Sequence, residues 1–380
     1  MKIAFIDQEK ISFLSNRKTG EYSENLAKEL AKKGHQVFFY MTKDCVSKLD
    51  GVNEITINSG HLGKKIQKKL FFLQANWQAL FQDYDVIHYY CDSLPFSFLL
   101  LKIFKRRTVF LLTFKFQSGE RNKKSWLKSI SFRWIDQAIT TQKSFKKYVL
   151  EKYAKKIFLM PWGIDGKKEE NINYLKKWNL QKGSYILWAN KLEKESDAHL
   201  AIKAFKNLED MHLTREKKLV IFETKILKNT YAKEIKDMAR GRENIIFVGC
   251  QSEEILNQFF LGAYFFLKTN LKEKIPSIVL KAMKYGKATL TIDSKNRRDF
   301  FNDEVALFFK KNIRGDLEEK MVRMINNPDE TKKMGERAIV KVKSKNSWEN
   351  IANQLESLCK DIFFRKQKKI FSNKMNERNI

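Results

Sequence analysis

Cysteine is scarce, acidic residues are outnumbered, and no long apolar run occurs in this sequence of 380 residues. The four cysteines, Cys45, Cys91, Cys250 and Cys359, stand far apart and form no Cys-x-x-Cys pair. That spacing argues against a disulfide framework and against a thiolate zinc site, and it fits a reducing cytoplasm. Nothing approaches the roughly 20 apolar residues that a membrane-spanning helix needs. The nearest stretch, Phe98-Leu-Leu-Leu-Lys-Ile-Phe104, runs straight into Lys105-Arg106-Arg107. The opening Met1-Lys-Ile-Ala-Phe-Ile-Asp7 has an apolar core too short for a signal peptide and reads as a strand. No zinc finger or RNA-binding signature is present, so specific nucleic-acid recognition is not expected.

What abounds is positive charge. Lys and Arg number 74 against 44 Asp and Glu, a formal net charge of +30, with lysine spread along the whole chain. A basic surface favours anionic lipid, nucleic acid or phosphorylated substrates. The plainer reading is a lysine-rich composition that keeps exposed faces wet. At 380 residues and 43% hydrophobic content the chain suits two domains rather than one core.

Short apolar runs alternate with helical patterns in both halves. Ile3–Ile6, Gln36–Tyr40, Ile55–Ile57, Val86–Tyr89, Thr108–Thr113, Gln137–Thr140 and Lys156–Met160 read as strands in the first half. Tyr185–Trp188, Lys218–Phe222, Ile245–Val248, Tyr264–Leu267 and Ala288–Ile292 do so in the second. Helical spacing marks Ser23–Lys33, Lys64–Phe81, Ala198–Leu208, Asn229–Ala239, Ser252–Leu261, Ser277–Tyr285 and Leu317–Ile325. Strands joined by helical crossovers make a parallel sheet covered on both faces. The expected organisation is an N-terminal Rossmann-like domain over 1–165, a C-terminal one over 166–350, and a helix with a basic tail over 351–380 whose end is frayed.

The segment most suggestive of chemistry is Asn270–Lys287. A loop carrying the carboxylate of Glu273 leads into a helix that opens at Pro276-Ser277. Proline suits the first helical turn, and such a start presents unpaired N–H groups to an anion. A carboxylate just ahead of it could steer a sugar attached to a phosphate. His88 sits among apolar strand residues and reads as structural. Trp162 reads as packing at a turn, and Trp348 as the anchor of the last helix.

The order of several short motifs resembles the retaining GT-B glycosyltransferases of the family-4, or glycosyl transferase group 1, type. They are Tyr84-Asp-Val-Ile-His88, Ile135-Asp-Gln-Ala-Ile139, Met160-Pro-Trp-Gly-Ile-Asp165, Phe247-Val-Gly249 with Glu253-Glu254-Ile255-Leu256, and Asn346-Ser-Trp-Glu349. The resemblance implies an α/β fold with two Rossmann-like, doubly wound parallel-sheet domains facing a cleft. It also implies a nucleotide-sugar donor in the second domain and a glycan, lipid-linked or protein acceptor on the first. It implies no metal or other cofactor, and a last helix, here 351–364, that returns to the first domain. Carried over residue by residue, Glu273 matches the acid that contacts the donor sugar. Lys281 stands eight residues later, where the family has a second Glu for the ribose. A lysine cannot accept those hydroxyl hydrogen bonds but can meet a phosphate. Lys191 occupies an arginine position and Ser196 a lysine position of the diphosphate site, with Lys194 two residues away. Ile275, Pro276 and Ser277 supply backbone to the donor. On the acceptor side Lys115 aligns with a histidine, and the glycine pair is reduced to Thr19-Gly20.

Two readings stay open: an active hexosyltransferase with an altered donor site, or an inactive GT-B-like binding or scaffold protein that partners another glycosyltransferase. A third feature concerns the surface. His61–Phe81 interleaves Lys64, Lys65, Lys68 and Lys69 with Ile66, Leu70, Phe71, Leu73 and Trp77, and Phe98–Arg107 has the same character. Such segments lie in the interface of an anionic bilayer on the cytoplasmic side, or else pack an apolar face on the sheet and leave the lysines wet.

Overall fold

The computed structural model describes residues 1–7, 21–42, 48–58, 64–91, 94–114, 134–141, 146, 157–164, 171–227, 229–270, 277–298 and 301–378. The chain divides into two compact units, Met1–Gly163 with Trp348–Ile380, and Ile164–Ser347.

In the first unit seven parallel strands are ordered β3-β2-β1-β4-β5-β6-β7. They are β1 Lys2–Asp7, β2 Gln36–Thr42, β3 Asn53–Ile57, β4 Val86–Cys91, β5 Val109–Phe114, β6 Gln137–Thr140 and β7 Ile157–Leu159. Every residue of β4 and β5 is buried. Both faces of a parallel sheet are covered, which is why these strands read as unbroken apolar runs. His88 is the polar exception at the centre of β4. Its Nε2 lies 2.7 Å from Thr113 Oγ1, and burial pushes its pKa down to about 3, so the ring stays neutral.

Helices α1 (Glu21–Lys32), α2 (Lys64–Leu80) and α3 (Phe98–Phe104) belong to this unit, as does the last helix of the chain, Trp348–Arg378. That helix buries Trp348, Ile351, Ala352, Leu355, Leu358, Cys359 and Ile362. The spacing of three and four is the stripe a helix lays on a core. Trp348 packs edge-on to Tyr22 of α1 at 5.3 Å between ring centroids, with Trp162 beside both. The frayed end expected for the tail is corrected: the helix runs on to Arg378. Arg365-Lys-Gln-Lys-Lys369 and, later, Lys374, Met375, Glu377 and Arg378 are good helix formers.

The second unit holds six parallel strands ordered β10-β9-β8-β11-β12-β13. They are β8 Tyr185–Asn190, β9 Lys218–Glu223, β10 Ile245–Gly249, β11 Phe265–Lys268, β12 Thr289–Ile292 and β13 Ala306–Phe309. Its helices are α4 Ala198–Asp210, α5 Thr230–Met238, α6 Glu253–Gly262, α7 Ser277–Lys284, α8 Lys295–Arg298, α9 Asp316–Asn326 and α10 Pro328–Asn346; the last helix of the chain is α11. Strand β13 and helices α3, α8 and α10 are additions to the elements expected from sequence. Helix α10 lies against the turn that ends α7. A Cβ on Gly335 would sit 2.0 Å from the carbonyl oxygen of Gly286, so only glycine permits this approach.

Candidate functional site

The strand order of the second unit reverses between β8 and β11. In open parallel sheets ligands bind beyond the carboxyl ends of the strands at such a reversal. The two loops that carry the sequence-predicted donor residues of this unit both leave the sheet there.

The first loop follows β8. The Asn190 carboxamide accepts the Lys191 N–H at 2.9 Å, and the chain then closes a short 3-10 turn over Lys194–Ser196. Asp197 takes a left-handed conformation at φ 53° and pairs with Lys311 at 2.7 Å. Asn229 caps α5 by accepting from the Ala232 N–H, and its amide donates to the Leu192 carbonyl at 3.0 Å. Lys191 is half-buried and Lys194 exposed. Ser196, which stands at the family's lysine position, is buried and works through its backbone: its carbonyl accepts from the Thr269 hydroxyl at 3.0 Å.

The second loop follows β11. Thr269 accepts the Trp188 indole N–H at 2.9 Å, so one hydroxyl joins the end of β8, the turn after it and the end of β11. Trp188, Ser196 and Thr269 are all buried. Ser277 opens α7, exposed, with the positive end of that helix. One turn on, Lys281 is in contact with the Glu253 carboxylate at the start of α6. The contact joins the first turn of α6 to α7 within the same unit. Glu273, Ile275 and Pro276 lie outside the described residues, as do Gly20 and Lys115 on the acceptor side.

Two cations escaped the sequence reading. Lys268, the last residue of β11, is buried, and so is Arg297 of α8, which donates to the Asn270 carbonyl at 3.3 Å. The signal was a charged residue closing an apolar strand run, and an Arg-Arg pair just past the next strand end. In the first unit the order reverses between β1 and β4. There the buried Asp7, last residue of β1, accepts the Ser23 hydroxyl of α1.

A family profile described as glycosyl transferases group 1 matches residues 171–341, and one described as glycosyltransferase family 4 matches residues 19–168. Solved structures agree in fold. A glycosyltransferase of Rickettsia africae superposes with a TM-score of 0.74 at 15% identity, over 95% of this chain and 98% of its own. The sucrose-phosphate synthase of Thermosynechococcus elongatus gives 0.73 at 14% identity, over 96% and 99%. The Anabaena protein HepE, solved with UDP and glucose, gives 0.70 at 13% identity, over 95% and 100%. No curated protein matches by sequence. The chain therefore belongs to the glycosyltransferases of the group 1 and family 4 type, transferase enzymes on the two-domain, Rossmann-like GT-B fold.

Proposed function

We propose that this glycosyltransferase moves a hexose or hexose derivative from a nucleotide-sugar to a glycan, lipid-linked or protein-linked acceptor, in the cytoplasm and with retention at the anomeric carbon. The observation that carries the reading is the joining of the loops after β8 and β11 through Trp188, Thr269 and Ser196, at the reversal of the second sheet. The Anabaena protein of the same fold was solved with UDP-glucose, which favours a uridine nucleotide here.

In this assignment the bond from the anomeric carbon to the diphosphate oxygen breaks, and the diphosphate leaves with the electron pair. The acceptor hydroxyl oxygen bonds to the carbon on the face the diphosphate leaves, and its proton passes to the departing diphosphate oxygen. Lys191, Lys194 and the N–H groups at the start of α7 oppose the charge that gathers on the leaving group. One well-placed donor of this kind is worth about 3–4 kcal/mol in a dry site. Glu273 orients the sugar through its hydroxyls. Titration of wild type and Glu273→Ala with a panel of nucleotide-sugars tests this. Binding and turnover by wild type, reduced in the variant, support it; absence of both from both proteins overturns it.

The contact between Lys281 and Glu253 favours a second reading, in which the ribose site has been lost and the chain serves as a binding or scaffold partner of another glycosyltransferase. A folded chain that binds no nucleotide yet stimulates transfer by that partner would fit only this second reading.

A further inference from the structure

Helices α2 and α3 are apolar on both sides. Their inner faces bury Phe71, Phe72, Ala75 and Ala79 of α2, with Phe98 and Leu101 of α3, in the core of the first unit. Their outer faces are also apolar. Leu73, Trp77 and Phe81 are 52%, 62% and 69% exposed, and Phe96, Leu100 and Phe104 are 87%, 56% and 68% exposed. Trp77 and Phe81 stack edge to face at 5.5 Å. Eight of the sixteen large exposed hydrophobic side chains among the described residues fall between 66 and 104, on α2, α3 and the turns beside them. The two helices are held side by side: the Asn76 amide donates to the Ser97 hydroxyl at 2.8 Å, and the Asn76 carbonyl accepts the Tyr89 hydroxyl at 2.6 Å. An exposed apolar patch rimmed by polar residues marks a contact surface.

The rim decides the partner. No Asp or Glu occurs between Glu54 and Asp83, nor between Asp92 and Glu120. Asp83, at the end of α2, is paired with Lys105 at 3.1 Å. Lys69, Arg106 and Arg107 are exposed beside the apolar residues. A second copy is disfavoured, because two such basic faces on chains of net charge +30 repel. Among the described residues no helix is long and apolar enough to cross a membrane. Aromatic anchors flanked by bare cations are what an amphipathic segment presents to negatively charged headgroups.

We propose that the α2–α3 face docks in the interface of an anionic bilayer, with Trp77, Phe81, Phe96 and Phe104 entering the headgroup boundary and Lys69, Arg106 and Arg107 facing lipid phosphates. Docking there would bring the enzyme to lipid-linked acceptors. It stands independently of the donor site, so flotation and nucleotide titration can fail separately.

The test is flotation of the full chain with vesicles of phosphatidylglycerol and phosphatidylcholine, or of phosphatidylcholine alone. Wild type is expected to float with the anionic vesicles and to stay behind with the neutral ones. Trp77→Ser with Phe96→Ser and Phe104→Ser abolishes flotation. Arg106→Glu with Arg107→Glu reduces it several-fold. All these side chains are exposed, so melting temperature and nucleotide binding should match wild type. Equal recovery from the two vesicle types, whether bound or unbound, overturns the proposal, as does undiminished flotation of the serine variant. An acidic protein occupant would leave both vesicle types unbound.

Discussion

The Thr269 hydroxyl accepts the indole N–H of Trp188 and donates in turn to the Ser196 carbonyl, with every partner buried. Thr269→Val keeps the shape and removes both bonds. A buried donor or acceptor left unsatisfied costs about 1–3 kcal/mol. Urea unfolding of the variant should show a loss of that order, and Thr269→Ser should recover most of it. Equal stability of wild type and the valine variant would mean that the two loops are held by something else.

Gly163 lies under the Trp348 ring, where an added Cβ would stand 2.2 Å from Cδ2 and Cε3. Gly163→Ala should therefore destabilise the first unit by about 1–3 kcal/mol, the usual scale of overpacking. Trp348→Leu makes room, so a double-mutant cycle should report strong coupling between the two sites. Additive effects would remove the steric account of this glycine.

Position 281 separates the two functional readings. Glu253→Lys combined with Lys281→Glu keeps an ion pair while placing a carboxylate eight residues after Glu273. Glu253 is 60% exposed, so the swap should change stability by no more than about 1 kcal/mol. If that position meets the ribose, calorimetry should show tighter nucleotide binding than wild type. Unchanged affinity would place the ribose contact elsewhere.

Glu356 of α11 meets Lys360 at 2.6 Å and Lys33, just past the end of α1, at 3.2 Å. The hydrogen bond from Lys360, reinforced by Lys33 against some burial, lowers its carboxyl from the ordinary 4.5 to about 2. The unfolded chain takes up this proton first as pH falls. The contribution is whole above about pH 4.5 and is lost as pH falls toward about 2. Wild type should lose stability faster than Glu356→Gln across that window in thermal melts. Parallel curves would show that this pair adds nothing.

Most of the fold was legible because both faces of each sheet are covered. Runs such as Val86–Tyr89 and Tyr185–Trp188 read as buried strands because helical patterns alternate with them along the chain. Strand β13, Ala306–Phe309, was not separated from the charged segment around it, which runs from Arg297 to Lys311. Helix α10 escaped because its buried Met334, Ala338 and Val342 are spread among lysines and acids. The site was legible in its loops rather than in its side chains. In a chain this basic Lys191 looks like any solvated lysine, and the roles of Ser196 and Thr269 lie in hydrogen bonds across the sheet that no local pattern encodes. The paired state of Lys281 depends on Glu253, 28 residues away.

A diphosphate held at the carboxyl end of β8 can be detected by calorimetric titration of wild type and Lys191→Ala with UDP. Wild type should bind, and the variant should bind at least roughly tenfold more weakly, since a hydrogen bond to a charged group is worth about 1.5–3 kcal/mol. Equal affinity in the two proteins, or no binding of UDP or any other nucleoside diphosphate by wild type, would mean that no such site exists there.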